Sequence, residues 1–174
     1  MSNHQKSHIS QEVARRAFVL NAFIVFLVPI LFSNFELRSF RLLADFFSGP
    51  AGIHVIAQAS DFPVAVYAGA LAAILFSGIT ATMLCMSQGF LLRWRRASAH
   101  QGWIKRFLVF VIAIGVFPAF WYWPYSKGGG SWSAPISILI AESPMALGVF
   151  FAALYFLCVS SLVLLISTIY KGDE

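Results

Sequence analysis

The chain has 174 residues, 59% of them hydrophobic and 11% charged, with a mean hydropathy of +0.78 and a formal net charge of +5. A soluble domain carries about 25% charged and 45–50% apolar residues, so this balance excludes a water-soluble globule, a disordered chain and a disulfide-rich secreted module. Four stretches, 17–35, 62–92, 107–126 and 143–170, hold no Asp, Glu, Lys or Arg, and each is long enough for a helix to cross a bilayer core of about 30 Å. The expected fold class is an all-α membrane protein with four transmembrane helices, over about 16–34, 62–93, 104–123 and 143–170. A polar tail, 1–15, precedes them and a short C-terminus, 171–174, follows.

Residues 1–14 are polar and rich in Ser, Gln and His, a composition that predicts disorder. The first helix contains Pro29, which removes a backbone hydrogen bond and predicts a bend in the outer third. A basic tail before an apolar run is also the pattern of a signal peptide. Leu31 and Ser33 offer only one small residue at the spacing a peptidase needs, so this span is expected to stay as an anchor. Beyond it, Phe40, Leu43, Ala44 and Phe47 recur at helical spacing, opposite Arg38, Arg41 and Asp45. That pattern predicts a short interfacial helix in the first periplasmic loop, apolar face on the outer membrane surface. Gly49-Pro50 ends it, and a second apolar piece, Ile53 to Ala59, follows.

The second helix is expected to start with Asp61 as cap and Pro63 in the first turn, where a missing N–H is tolerated. The link 94–105 carries Trp94, Trp103 and basic residues. The third helix contains Gly115 and Pro118, and the loop 124–142 after it holds Gly128-Gly129-Gly130, with no phosphate-loop context. Ser143-Pro144 is again a cap followed by a first-turn proline and starts the fourth helix.

Lys and Arg next to a span resist translocation, so their distribution sets orientation. Of the twelve basic residues, Lys6, Arg15, Arg16, Arg93, Arg95, Arg96, Lys105, Arg106 and Lys171 fall on one side, and Arg38, Arg41 and Lys127 on the other. Both termini and the 89–106 loop are therefore expected in the cytoplasm, with the chain in a bacterial inner membrane. The same bias explains the positive net charge without nucleic acid. Trp121, Tyr122, Trp123, Tyr125 and Trp132 then crowd the outer headgroup level, and Trp94, Trp103 and Tyr170 mark the inner one.

Chemistry is constrained mainly by what the spans lack. His4, His8, His54 and His100 fall in the tail or loops, so no intramembrane haem is expected, and no other cofactor or metal. Carboxylates and cations stand only at the ends of the spans, Arg16, Arg93, Lys105 and Arg106 among them, and none lies in their interiors to carry protons or ions. Ser77, Ser87, Ser160 and Ser161 have no His to activate them, which leaves packing and hydrogen bonding as their expected role and a non-enzyme as the expected class. Cys85 and Cys158, inside predicted helices, read as reduced packing residues.

One positive feature is a line of small residues in the second helix: Ala65, Gly69, Ala73, Ser77, Ala81 and Cys85. Such a line lets another helix approach closely, either one of this chain or a foreign one. Gly148, Ala152 and Ala153 form a shorter counterpart in the fourth helix.

The layout resembles the inner-membrane immunity proteins of pore-forming bacteriocins, in particular the colicin A-type group. The matching parts are Val28-Pro29-Ile30-Leu31 before Phe32, the long 34–62 loop, the basic 93–106 link and the terminal Tyr170-Lys171-Gly172. Gly172-Asp173-Glu174 departs from the more basic C-termini usual in that group. Immunity proteins for pore-forming effectors of contact-dependent secretion systems share the outline. The resemblance implies stoichiometric binding of a toxin's pore domain in the bilayer. The expected partner-binding residues are Ala65, Gly69, Ala73 and Ser77 of the small line, with Phe40, Phe47, Trp121, Trp123 and Trp132 on the periplasmic surface. The rival expectation is a small accessory or assembly subunit of an inner-membrane complex for respiration, secretion or conjugation, entry exclusion included.

Overall fold

In a computed structural model the described residues are 10–35, 51–87 and 142–169, with single helical positions at 42, 45, 90, 107, 111 and 115. They form four helices, α1 (Gln11–Phe32), α2 (Ala51–Ala59), α3 (Pro63–Met86) and α4 (Pro144–Ile169). Among the described residues three helices are long and apolar enough to cross a membrane, over Gln11–Phe32, Pro63–Met86 and Pro144–Ser167. The expected span at 104–123 lies outside the described residues apart from positions 107, 111 and 115. The expected interfacial helix around Phe40 and Phe47 also lies outside them, apart from helical positions 42 and 45.

Helix α1 begins at Gln11, inside the segment whose composition predicts disorder. The side chain of Ser10 accepts from the Val13 N–H at 3.3 Å, Glu12 sits in the first turn, and Arg16 pairs with Glu12 one turn on. Cap, dipole and ion pair thus extend the helix beyond the apolar run, which marks membrane depth rather than helix length. The helix continues through Pro29 to Phe32, where the Ser33 hydroxyl donates to the Ile30 carbonyl at 2.8 Å.

Helix α3 starts at Pro63 without the expected Asp61 cap. Phe62 is the capping residue, no side chain caps the end, and the Ser60 hydroxyl instead accepts from the Phe62 N–H at 3.0 Å. Its other end falls at Met86 rather than near 93. Ser87 turns to extended backbone (φ −74°, ψ 141°) while its hydroxyl donates to the Leu84 carbonyl at 2.8 Å. Serine offers the backbone a local alternative to the next helical bond, which accounts for a stop inside an apolar run. At α4 the Ser143 side chain accepts from the Ala146 N–H at 3.4 Å, directly before Pro144.

Helices α1, α3 and α4 pack on one another in all three pairings, and α2 packs on α3. Contacts fix the directions. Pro29 of α1 lies at Gly69 of α3, while Asn21 lies at Thr80, so α1 and α3 are antiparallel. Phe26 of α1 lies at Gly148 of α4, while Phe18 stacks on Tyr155 at 5.9 Å, so α1 and α4 are antiparallel too. Helices α3 and α4 therefore run parallel, and the start of α1 shares one end of the bundle with the ends of α3 and α4.

Helix α3 is central. From Val64 to Ala70 every residue is buried, and Ala72, Ala73, Ser77, Thr80 and Ala81 continue inward. Helix α4 turns Leu147, Phe151, Leu154, Tyr155, Cys158, Val159 and Val163 to the core at helical spacing. Its outer side shows Met145, Val149, Phe156 and Leu157, as α1 shows Val19, Leu20, Phe23 and Leu31. Those outward apolar faces suit hydrocarbon rather than water.

Candidate functional site

The line of small residues lies inside the bundle. Ala65 and Ala73 are wholly buried, Ser77 is 2% exposed, and Gly69 faces α1 and α4 together. A Cβ placed on Gly69 would collide with Phe151 Cδ2 and would stand 2.8 Å from Phe151 Cε2 and 2.9 Å from Pro29 Cγ. The line is thus occupied by packing within this chain, where van der Waals contact must replace the hydrophobic effect between helices in lipid. Ser77 directs its hydroxyl to the Ile74 carbonyl at 2.8 Å. In the shorter counterpart on α4 Gly148 faces inward, against the Phe26 backbone, while Ala152 is half-buried and Ala153 exposed. Phe40, Phe47, Trp121, Trp123 and Trp132 lie outside the described residues.

Beside the line is a polar cluster built from one residue of each long helix. Asn21 Nδ2 donates to Thr80 Oγ1 at 2.8 Å, and the Tyr155 hydroxyl lies 2.9 Å from Thr80 Oγ1 and 3.1 Å from the Phe18 carbonyl. Thr80 and Tyr155 are wholly buried, and Asn21 is 8% exposed. Phe18 and Phe156 close over the tyrosine ring, with Phe156 edge-on to both at 5.3 and 5.5 Å. In water these groups would bond solvent. Among apolar helices they have only one another and the Phe18 carbonyl, so the cluster fixes the register of all three. Charge chemistry has no foothold in it, because amide, hydroxyl and phenol remain neutral.

A second polar contact joins α2 to α3. Gln58 Nε2 lies 2.8 Å from His54 Nε2, and His54 Nδ1 lies 3.0 Å from the Tyr67 hydroxyl. Which ring nitrogen donates, and so whether the Tyr67 hydroxyl gives or takes the proton, follows the tautomer of His54. His54, expected in a loop, is therefore half-buried on a helix, and Ile53, Ile56 and Ala57 of the same helix enter the core.

Cys85 and Cys158 are free thiols, the second buried between helices. Among the described residues no three His, Cys, Asp or Glu side chains gather where a metal ion could bind. Asn21, Thr80 and Tyr155 are neutral residues outside the ionisable groups and serines that single out a site in the sequence. The available signal was a single neutral hydrogen-bonding residue in an otherwise apolar face. No protein-family model, curated protein or solved structure matches the chain.

Proposed function

We propose that this protein is an immunity protein that binds a pore-forming toxin or effector in the bacterial inner membrane and blocks it. It spans the membrane four times with both termini in the cytoplasm. The observation that carries the reading is the bundle's division into a closed interior and an apolar exterior. Asn21 and Tyr155 both bond Thr80 inside, while Val19, Leu20, Phe23 and Leu31 of α1 and Met145, Val149, Phe156 and Leu157 of α4 are exposed. A surface of that kind suits contact with a helical hairpin in the same bilayer. The parallel α3 and α4 support the fourth span, since Met86 and Pro144 lie at opposite ends and the chain between them must return across the bundle length. The charge-free run 107–126 is long enough for that return. Recognition from the periplasmic side is assigned to Phe40, Phe47, Trp121, Trp123 and Trp132, with Ala65, Gly69, Ala73 and Ser77 holding the scaffold that presents them.

Binding of this kind is stoichiometric, requires no turnover and is not enzymatic. The test is to express the protein in a sensitive cell, deliver a candidate pore-forming toxin from its gene neighbourhood to the periplasm, and follow membrane potential with a dye. Protection should saturate near equal amounts of toxin and protein, and an unrelated pore-former should still depolarise the cell. Exchanging 34–62 and 124–142 with a related immunity protein should transfer specificity. Protection at a large excess of toxin would indicate catalysis, and its absence at every dose would leave an accessory subunit as the better reading.

A further inference from the structure

A groove of about 570 Å³ runs along the outer side of α1 and is lined, among the described residues, by Glu12, Arg15, Arg16, Val19, Leu20 and Phe23. The spacing places all six on one helical face, away from Ala14, Asn21 and Val25, which enter the core. We propose that this groove binds one anionic phospholipid, its phosphate at Arg15 and Arg16 and an acyl chain along Val19, Leu20 and Phe23.

Charge and polarity both change along the groove in the order such a lipid requires. At the polar end stand two guanidiniums and one carboxylate, a net single positive charge that matches a phosphodiester. Glu12 pairs with Arg16, both side chains remaining mostly exposed, while Arg15 forms no ion pair among the described residues. A guanidinium is suited to phosphate because its fork of N–H donors meets two oxygens at once. One to two turns further, Val19, Leu20 and Phe23 are each more than half exposed and offer only apolar contact. Arg15 to Phe23 spans about 12 Å at 1.5 Å per residue, the passage from headgroup to upper acyl chain. A free phosphate ion would leave the apolar wall unused, and a zwitterionic lipid brings an ammonium toward the arginines. The proposal rests on α1 crossing a membrane and is independent of the toxin-binding reading.

The test uses the full chain purified from mixed micelles holding equal phosphatidylglycerol and phosphatidylcholine, with retained lipid counted by native mass spectrometry. One phosphatidylglycerol per chain should remain in preference to phosphatidylcholine. The double variant R15Q/R16Q should lower that retention about ten-fold, as expected for loss of a charge-assisted contact. K171Q, which also removes positive charge, should leave it unchanged, and R15K should retain more lipid than R15Q. Circular dichroism establishes that each variant keeps its helices. Equal retention of both lipids, an equal loss in K171Q, or displacement by excess inorganic phosphate would overturn the proposal.

Discussion

The glycines of this bundle allow the close-packing reasoning to be tested with one added methyl group at a time. Gly78 and Gly69 lie on the same helix, yet a Cβ at Gly78 would meet nothing within 4 Å, while one at Gly69 would drive into Phe151 and Pro29. Replacing a helical glycine by alanine stabilises by about 0.5–1 kcal/mol through backbone entropy. That gain stands alone in Gly78→Ala. In Gly69→Ala it is opposed by over-packing of about 1–3 kcal/mol, because the Phe151 ring is wholly buried and has no open side to turn into. The net expectation is a loss of about 1 kcal/mol. Gly148→Ala should be worse, since its Cβ would stand 2.5 Å from the Phe26 carbonyl oxygen, a backbone atom that moves only if α1 and α4 separate. Unfolding midpoints in mixed detergent micelles should rank Gly78→Ala above wild type, then Gly69→Ala, then Gly148→Ala. If Gly69→Ala proves as stable as Gly78→Ala, the helices do not approach at this line and the packing account fails.

Two further outcomes are expected. A double-mutant cycle of Thr80→Val and Tyr155→Phe should give a coupling of about 0.6–1.7 kcal/mol, the range for hydrogen bonds between membrane helices, and strict additivity would show that the hydroxyls do not bond in the folded protein. Reporter fusions after Gly52 and Gly129 should report the periplasm and one after Ala99 the cytoplasm, and a cytoplasmic signal at Gly129 would overturn the four-span topology.

What the sequence made legible followed from the range of each force. The apolar runs place α1, α3 and α4 because transfer into hydrocarbon acts on about twenty residues together. Helix ends escaped it because they are local. Ser10 begins α1 before the apolar run starts, and Ser87 ends α3 while Leu91 and Leu92 still keep the run apolar. Helix α2 was legible only as an apolar piece, since its nine residues include His54 and Gln58. Its inward face depends on contact with Tyr67, which lies on the next helix. The polar cluster was least accessible of all. Asn21, Thr80 and Tyr155 are ordinary single polar residues in three separate spans, and only the antiparallel seating of α1 against α3 and α4 brings them together.

Under the proposed function, the same cluster limits where on this protein a toxin helix could bind. To reach Ala65, Gly69, Ala73 and Ser77, an incoming helix would have to lift Pro29 and Phe151 off Gly69 and part α1 or α4 from α3. Parting them would break the bonds at Thr80, taking from Asn21 its Thr80 partner when α1 leaves, or leaving the Tyr155 hydroxyl with the Phe18 carbonyl alone when α4 leaves. A buried group that loses its partner costs about 1–3 kcal/mol, in addition to the lost packing. The outer faces of α1 and α4 carry no such penalty, because Leu31, Val149 and Phe156 are already exposed. Within the proposed function, substitutions in the small line should therefore change protection in proportion to the amount of folded protein. Exchange of the outer segments should instead change which toxin is bound, at unchanged stability.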